Sequence, residues 1–116
     1  MSTLNLGEWP IFDPSHQRMD KWQALKVLEE ASEVVEAAKE CVNYDDNLFD
    51  EDEYEALQYQ LTDEIADLLQ TIVNLCDAYN INELDIRTAR ARCIQINDLR
   101  GMFDNGPRTH MHREEE

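Results

Sequence analysis

Apolar residues return every three or four positions over two long stretches, and that regularity restricts the chain to helical folds. The first stretch carries Met19, Ala24, Val27, Ala31, Val34, Ala38 and Cys41; the second carries Tyr54, Leu57, Leu61, Leu68, Ile72, Leu75 and Tyr79. With 3 glycines and 3 prolines in 116 residues, the turns of an all-β domain are missing. Punctuation sets the boundaries. Asp13-Pro14 reads as an N-cap with proline in the first helical position, so the first helix is predicted from there to Cys41, roughly 40 Å at 1.5 Å per residue. Asn43 to Asn47 reads as a loop, and Asp50 with Glu53 as a capping box opening the second helix. Asn80-Ile81-Asn82 is a turn, with Asn82 and Asp85 as a further cap, and a third, shorter helix runs to about Arg100 with Gly101 placed to end it. The expected organisation is an N-terminal arm over 1–12, a helical domain over 13–101 and a polar, disordered tail over 102–116.

Three such helices make an all-α, antiparallel bundle that lacks a fourth element, and a chain this short buries only part of its surface alone. A second copy would complete the core, so a homodimer or homotetramer is expected. The net charge of −16 argues against direct nucleic-acid binding. No apolar run spans a bilayer, no basic-then-apolar leader opens the chain, and Cys41, Cys76 and Cys93 lack the spacing of a disulfide framework. These features predict a cytoplasmic protein, without membrane or nucleic-acid partners, whose cysteines serve as small core residues.

The informative residues are acids. On a helical wheel, with Glu30 at zero, Val27, Val34 and Ala38 fall about 40° to 80° to one side and Glu33 about 60° to the other. With Glu64 at zero, Leu61, Leu68 and Ile72 fall on one side and Asp67 on the other, at the same angles. Each helix thus presents an acid pair, three residues apart, on the same edge of its apolar stripe. Packed as a hairpin through those stripes, the helices would bring four carboxylates together at the border of the core. Such repulsion calls for a positive partner, and an oxygen-only ligand set suits Mg²⁺, with Mn²⁺ as an alternative, rather than zinc. A di-iron bundle would need Glu-x-x-His, and no histidine lies in the second helix or the body of the first. Glu36 and Glu40 read as a solvated stripe, and Glu51, Asp52 and Glu53 as acids suited to a helix N-terminus.

The runs Leu28-Glu29-Glu30-Ala31-Ser32-Glu33-Val34-Val35-Glu36-Ala37 and Asp63-Glu64-Ile65-Ala66-Asp67-Leu68-Leu69 resemble the MazG-type all-α nucleotide pyrophosphohydrolases, whose signature is E-E-x-x-E on one helix and E-x-x-D on the next. The resemblance covers about Asp20 to Arg100. It implies Glu30, Glu33, Glu64 and Asp67 as Mg²⁺ ligands and Glu29 and Glu33 as catalytic residues, Glu29 being a further ligand, a water orienter or a structural acid. It implies Mg²⁺-dependent hydrolysis of (deoxy)nucleoside triphosphates to the monophosphate and pyrophosphate by a dimer or tetramer. Many relatives carry a lysine, an asparagine and a basic residue on the third helix. Asn97 and Arg100 match the last two, but this chain has no lysine beyond Lys39.

Around this core of the site, Lys26 lies one turn before Glu30, positioned for a phosphate or for an ion pair with Glu30. Trp22 is a candidate to stack on a base, against the competing reading of a buried or interface residue, and Asn74 and Thr71 continue the stripe of Asp67 toward a sugar or base. Arg87 and Arg90 read as helix cations paired with surface acids. His110-Met111-His112 has a metal-compatible spacing but sits in the tail. The competing readings from −16 on a small helical chain are a DNA-mimic protein, with acids spread over an outer surface, and a non-catalytic helical interaction module.

Overall fold

The computed structural model describes residues 3–44 and 50–104. Among the described residues it is all-helical: a 3-10 turn at Pro14–His16, then α1 (Lys21–Val42), α2 (Glu51–Ala78) and α3 (Glu83–Leu99), with no strand. No helix among them is long and apolar enough to cross a membrane. The predicted loop residues 45–47, the His110-Met111-His112 spacing and the tail from residue 105 lie outside the described residues. The chain divides into two compact units, one spanning Glu8–Asn82 and one containing α3.

The first helix begins later than the sequence predicts. Asp13 makes no side-chain cap, and Pro14 opens a single 3-10 turn that ends at Gln17 in extended backbone. The cap belongs to Asp20, whose carboxylate accepts from the Trp22 and Gln23 amides at 3.1 Å each. This leaves 22 residues, roughly 33 Å of helix. Asp50 caps α2 as expected, accepting from the Asp52 and Glu53 amides. The reciprocal half of the capping box is absent: the Asp50 amide donates to the Tyr44 hydroxyl instead of to Glu53. At the far end of α2, Asn80 sits at φ 58, the Ile81 amide reaches back to the Cys76 carbonyl and the Asn80 amide to Asp77. That is a Schellman turn, with asparagine supplying the left-handed residue. Gly101, at φ 74, ends α3 by the same device, with Met102 bonded to Asn97 and Gly101 to Asp98.

Within the unit Glu8–Asn82, α1 packs on α2. Contacts between them fall in opposite order along the two helices. Tyr79 Oη donates to the Asp20 carbonyl at 2.7 Å, Glu33 meets Glu64, and Tyr44 reaches Asp50 and Tyr54. The apolar positions of both stripes line this seam half-buried, except Met19, Ala24 and Ile72, which are exposed. The deepest line on α1 is not the middle of the apolar stripe. Gln23 and Ala37 are its buried residues, and with the half-buried Glu30 between them they are spaced by sevens, about 20° apart on the wheel. The acidic edge is therefore turned into the seam. Ala37 is the one buried apolar residue among those described. Of the cysteines, Cys41 and Cys76 are half-buried, while Cys93 is exposed and so is not the core residue expected.

Leu28, Val35 and Val42 form a second line of sevens on α1. They are 65 %, 55 % and 71 % exposed, so α1 carries an apolar face that the seam with α2 does not cover.

Candidate metal centre

Glu30 and Glu33 on α1 and Glu64 on α2 each offer a carboxylate oxygen, and these three oxygens lie within 4.8 Å of one another. Helical spacing explains the pair on α1, since residues three apart share a face. The register set at the ends of the seam brings Glu64 opposite them. Asp67, one turn beyond Glu64, lies outside this close trio but faces the same cleft, and its charge acts on both Glu30 and Glu64.

The electrostatics are those of crowded acids. The Glu30 carboxyl is held above its ordinary 4.5, first by loss of solvent and then by the charges of Glu33, Asp67 and Glu29, with Lys26 acting against them. Glu64 is raised for similar reasons: desolvation first, then a hydrogen bond with Glu33, then the charges of Glu33, Asp67 and Glu30. Glu64 Oε1 is shut off from solvent and has no hydrogen-bond partner among the described residues. Its carboxyl meets that of Glu33, and two carboxyls can hydrogen-bond only when one of them carries a proton. A proton, or a cation in its place, would relieve this crowding of like charges. The donor set is all carboxylate oxygen, which fits a hard divalent cation such as Mg²⁺ or Mn²⁺.

Glu30 and Glu33 of the trio open into a cleft of ≈ 390 Å³. Glu29, Glu30, Glu33, Lys26 and Asp67 line one part of it, and Phe12, His16, Gln23, Gln70, Thr71 and Asn74 the rest. Phe12 and His16 wall one side of this cleft, and the segment that carries them is tied to α1 and α2. Gln70 Nε2 donates to the Pro10 carbonyl at 2.7 Å, the Phe12 amide to Asn74 Oδ1 at 3.1 Å, and the Arg18 amide to Gln23 Oε1 at 3.0 Å. The sequence reading missed Gln23, Gln70, Phe12 and His16. Gln23 lies two turns before Glu30, on the same helical line, and that spacing was the available signal.

Of the other sequence candidates, Lys26 and Thr71 line the cleft. The Trp22 ring is exposed, has Lys21 Nζ 5.3 Å from its centroid, and does not line the cleft. Asn97 and Arg100 belong to the unit containing α3, where Arg100 Nη1 donates to Asn97 Oδ1 at 3.5 Å and Asn97 Nδ2 to Cys93 Sγ at 3.4 Å. Arg87 pairs with Glu83 one turn away, as a helix cation does. The chain matches no protein-family model, no curated protein and no solved structure.

Proposed function

We propose that this chain is a divalent-metal-dependent hydrolase of nucleoside triphosphates, releasing the nucleoside monophosphate and pyrophosphate. The observation that carries the reading is the meeting of Glu30 and Glu33 with Glu64, across two helices, where Glu64 Oε1 is closed off from solvent and has no hydrogen-bond partner among the described residues. Acids spread for solubility or for mimicry of DNA have no reason to converge on a helix seam, where each raises the energy of the others. The resemblance to MazG-type pyrophosphohydrolases supports the choice of substrate and of the α-phosphorus as the point of attack.

Glu30, Glu33, Glu64 and Asp67 would hold Mg²⁺ or Mn²⁺. When bound, the metal would supply an acidified water and offset the charge of the triphosphate. The remaining work falls to the chain itself. Glu29, exposed on the cleft wall beside Glu30, orients the attacking water and takes its proton, a role shared with Glu33. Lys26 is the cation of the cleft and meets a phosphate oxygen. The resemblance to the MazG-type enzymes also suggests Asn97, on α3, and Arg100, just past its end, as phosphate contacts.

The assembly proposed is an antiparallel bundle completed by a second copy. The opposite contact order along α1 and α2 supports the first half of that statement. The uncovered line of Leu28, Val35 and Val42 supports the second. The function is tested by incubating the protein with a panel of deoxy- and ribonucleoside triphosphates, with Mg²⁺ or with a chelator. Pyrophosphate and monophosphate from at least one nucleotide, with Mg²⁺ alone, are expected. Orthophosphate and diphosphate as first products, or no turnover across the panel, would overturn the reading.

A further inference from the structure

The cleft has a second end, away from the acids, and its chemistry is different. Asn74 is 5 % exposed and lines this end. Its Oδ1 accepts from three donors: the Phe12 amide at 3.1 Å, Gln70 Nε2 at 3.1 Å and Gln17 Nε2 at 3.4 Å. A backbone N–H can only donate, so the Phe12 amide fixes which way the Asn74 amide is turned. The oxygen is saturated, and Nδ2 donates to no atom among the described residues. That nitrogen is not closed off from solvent, so it stands as a free donor that an acceptor entering the cleft can take up. Gln23, the other buried amide of the cleft, has no such free donor. Its Oε1 accepts from the Arg18 amide and its Nε2 donates to Gln17.

Two rings stand beside this donor. Phe12 and His16 pack edge to face with centroids 6.3 Å apart, and both line the cleft. Asn74 follows Asp67 by seven residues, roughly 10.5 Å along α2. That distance is of the order that separates the phosphates of a nucleotide from the far edge of its base. We infer that the end of the cleft walled by Phe12 and His16 is the base subsite. Asn74 Nδ2 donates there to a ring carbonyl or ring nitrogen, and Phe12 covers the face of the base. This inference rests on the reading of the acid cluster as a metal–triphosphate site, and adds to it that the N-terminal segment, tied down by Gln70 and Asn74, builds the specificity end.

The test measures binding calorimetrically, with Mg²⁺ present, for inorganic triphosphate and for the four α,β-imido deoxynucleoside triphosphates, which resist hydrolysis. At least one nucleotide should bind about tenfold more tightly than inorganic triphosphate, a margin equal to about 1.4 kcal/mol. Asn74→Asp keeps an oxygen for all three donors and removes only the N–H, so the margin should vanish. The charge it adds acts on the phosphates of both ligands alike, and the margin isolates the lost donor. Phe12→Leu keeps the backbone bond to Asn74 and should remove part of the margin without lowering the melting temperature. Triphosphate binding with no base-dependent margin, or a margin that survives Asn74→Asp, overturns this inference alone. Failure of inorganic triphosphate and of every nucleotide to bind overturns the metal–triphosphate reading, and this one with it.

Discussion

Glu30 and Glu64 hold their protons more tightly in the folded chain than at the ordinary 4.5 of a free glutamate. Folding is therefore favoured by their protonated forms. The contribution is complete below about pH 4.5 and is lost as pH rises through the raised values. With metal chelated, the melting temperature should fall as pH rises from about 4.5 toward neutrality, and Glu30→Gln and Glu64→Gln should both flatten that fall. Thermal unfolding across this range tests it; parallel profiles for wild type and variants would show that the two groups are not strained. Glu33→Gln and Asp67→Asn each remove one like charge at little change in volume, so the metal-free fold should keep or gain stability. Changing a group that merely supports a metal ligand costs 10- to 100-fold, so losing a ligand should lower activity on the order of 100-fold or more. Assays of pyrophosphate release, with Glu40→Gln as a surface control, check this. The acids were legible in the sequence because helical spacing converts directly into a shared face. The amides of Gln23 and Asn74 were less so. Asn74 could be placed on the stripe of Asp67, but its bond to the Phe12 amide joins residues 62 positions apart, and no local pattern encodes it.

The elements were read more fully at their interiors than at their ends. The half-buried positions of α1 and α2 follow the apolar period, from Val27 to Cys41 and from Tyr54 to Tyr79, because one seam imposes one face on each helix. α1 starts later than Asp13-Pro14 predicts because Asp-Pro suits the opening of a 3-10 turn as well as that of an α-helix. The Asp50 amide found the Tyr44 hydroxyl through space, where the sequence offered Glu53 through a familiar spacing. Asp20 now carries two orphan amides of α1 and, through its carbonyl, the Tyr79 hydroxyl. Asp20→Ala should cost about 1 kcal/mol by loss of the cap. Chemical denaturation should show it as a lower midpoint with an unchanged slope, and hydrogen exchange should quicken at the Trp22 and Gln23 amides. Equal exchange rates in wild type and variant would remove Asp20 from this role.

At the scale of the molecule, burial is the notable shortage. Among the described residues, twenty large apolar side chains are exposed and a single alanine is the buried apolar core, a poor return for ordering so many residues. A second copy resting on Leu28, Val35 and Val42 would make up the difference. Val35→Glu would put a charge in the middle of that line and on a chain already at −16. The protein should scatter light as a dimer or tetramer at micromolar concentration, and Val35→Glu should shift it toward the monomer with a lower melting temperature. A wild-type monomer, or a variant that assembles unchanged, would contradict the proposed bundle.

The proposed metal site rests on the meeting of Glu30, Glu33 and Glu64. Calorimetric titration of Mg²⁺ into the metal-free protein, comparing wild type, Glu64→Gln and Glu40→Gln, addresses that most directly. Both neutralising variants change the net charge equally, so a general loss of counter-ion attraction affects them alike. Saturable Mg²⁺ binding by wild type and Glu40→Gln, lost in Glu64→Gln, is the result predicted. Saturable binding that Glu64→Gln retains at wild-type affinity, or no saturable binding by the wild type, would contradict it.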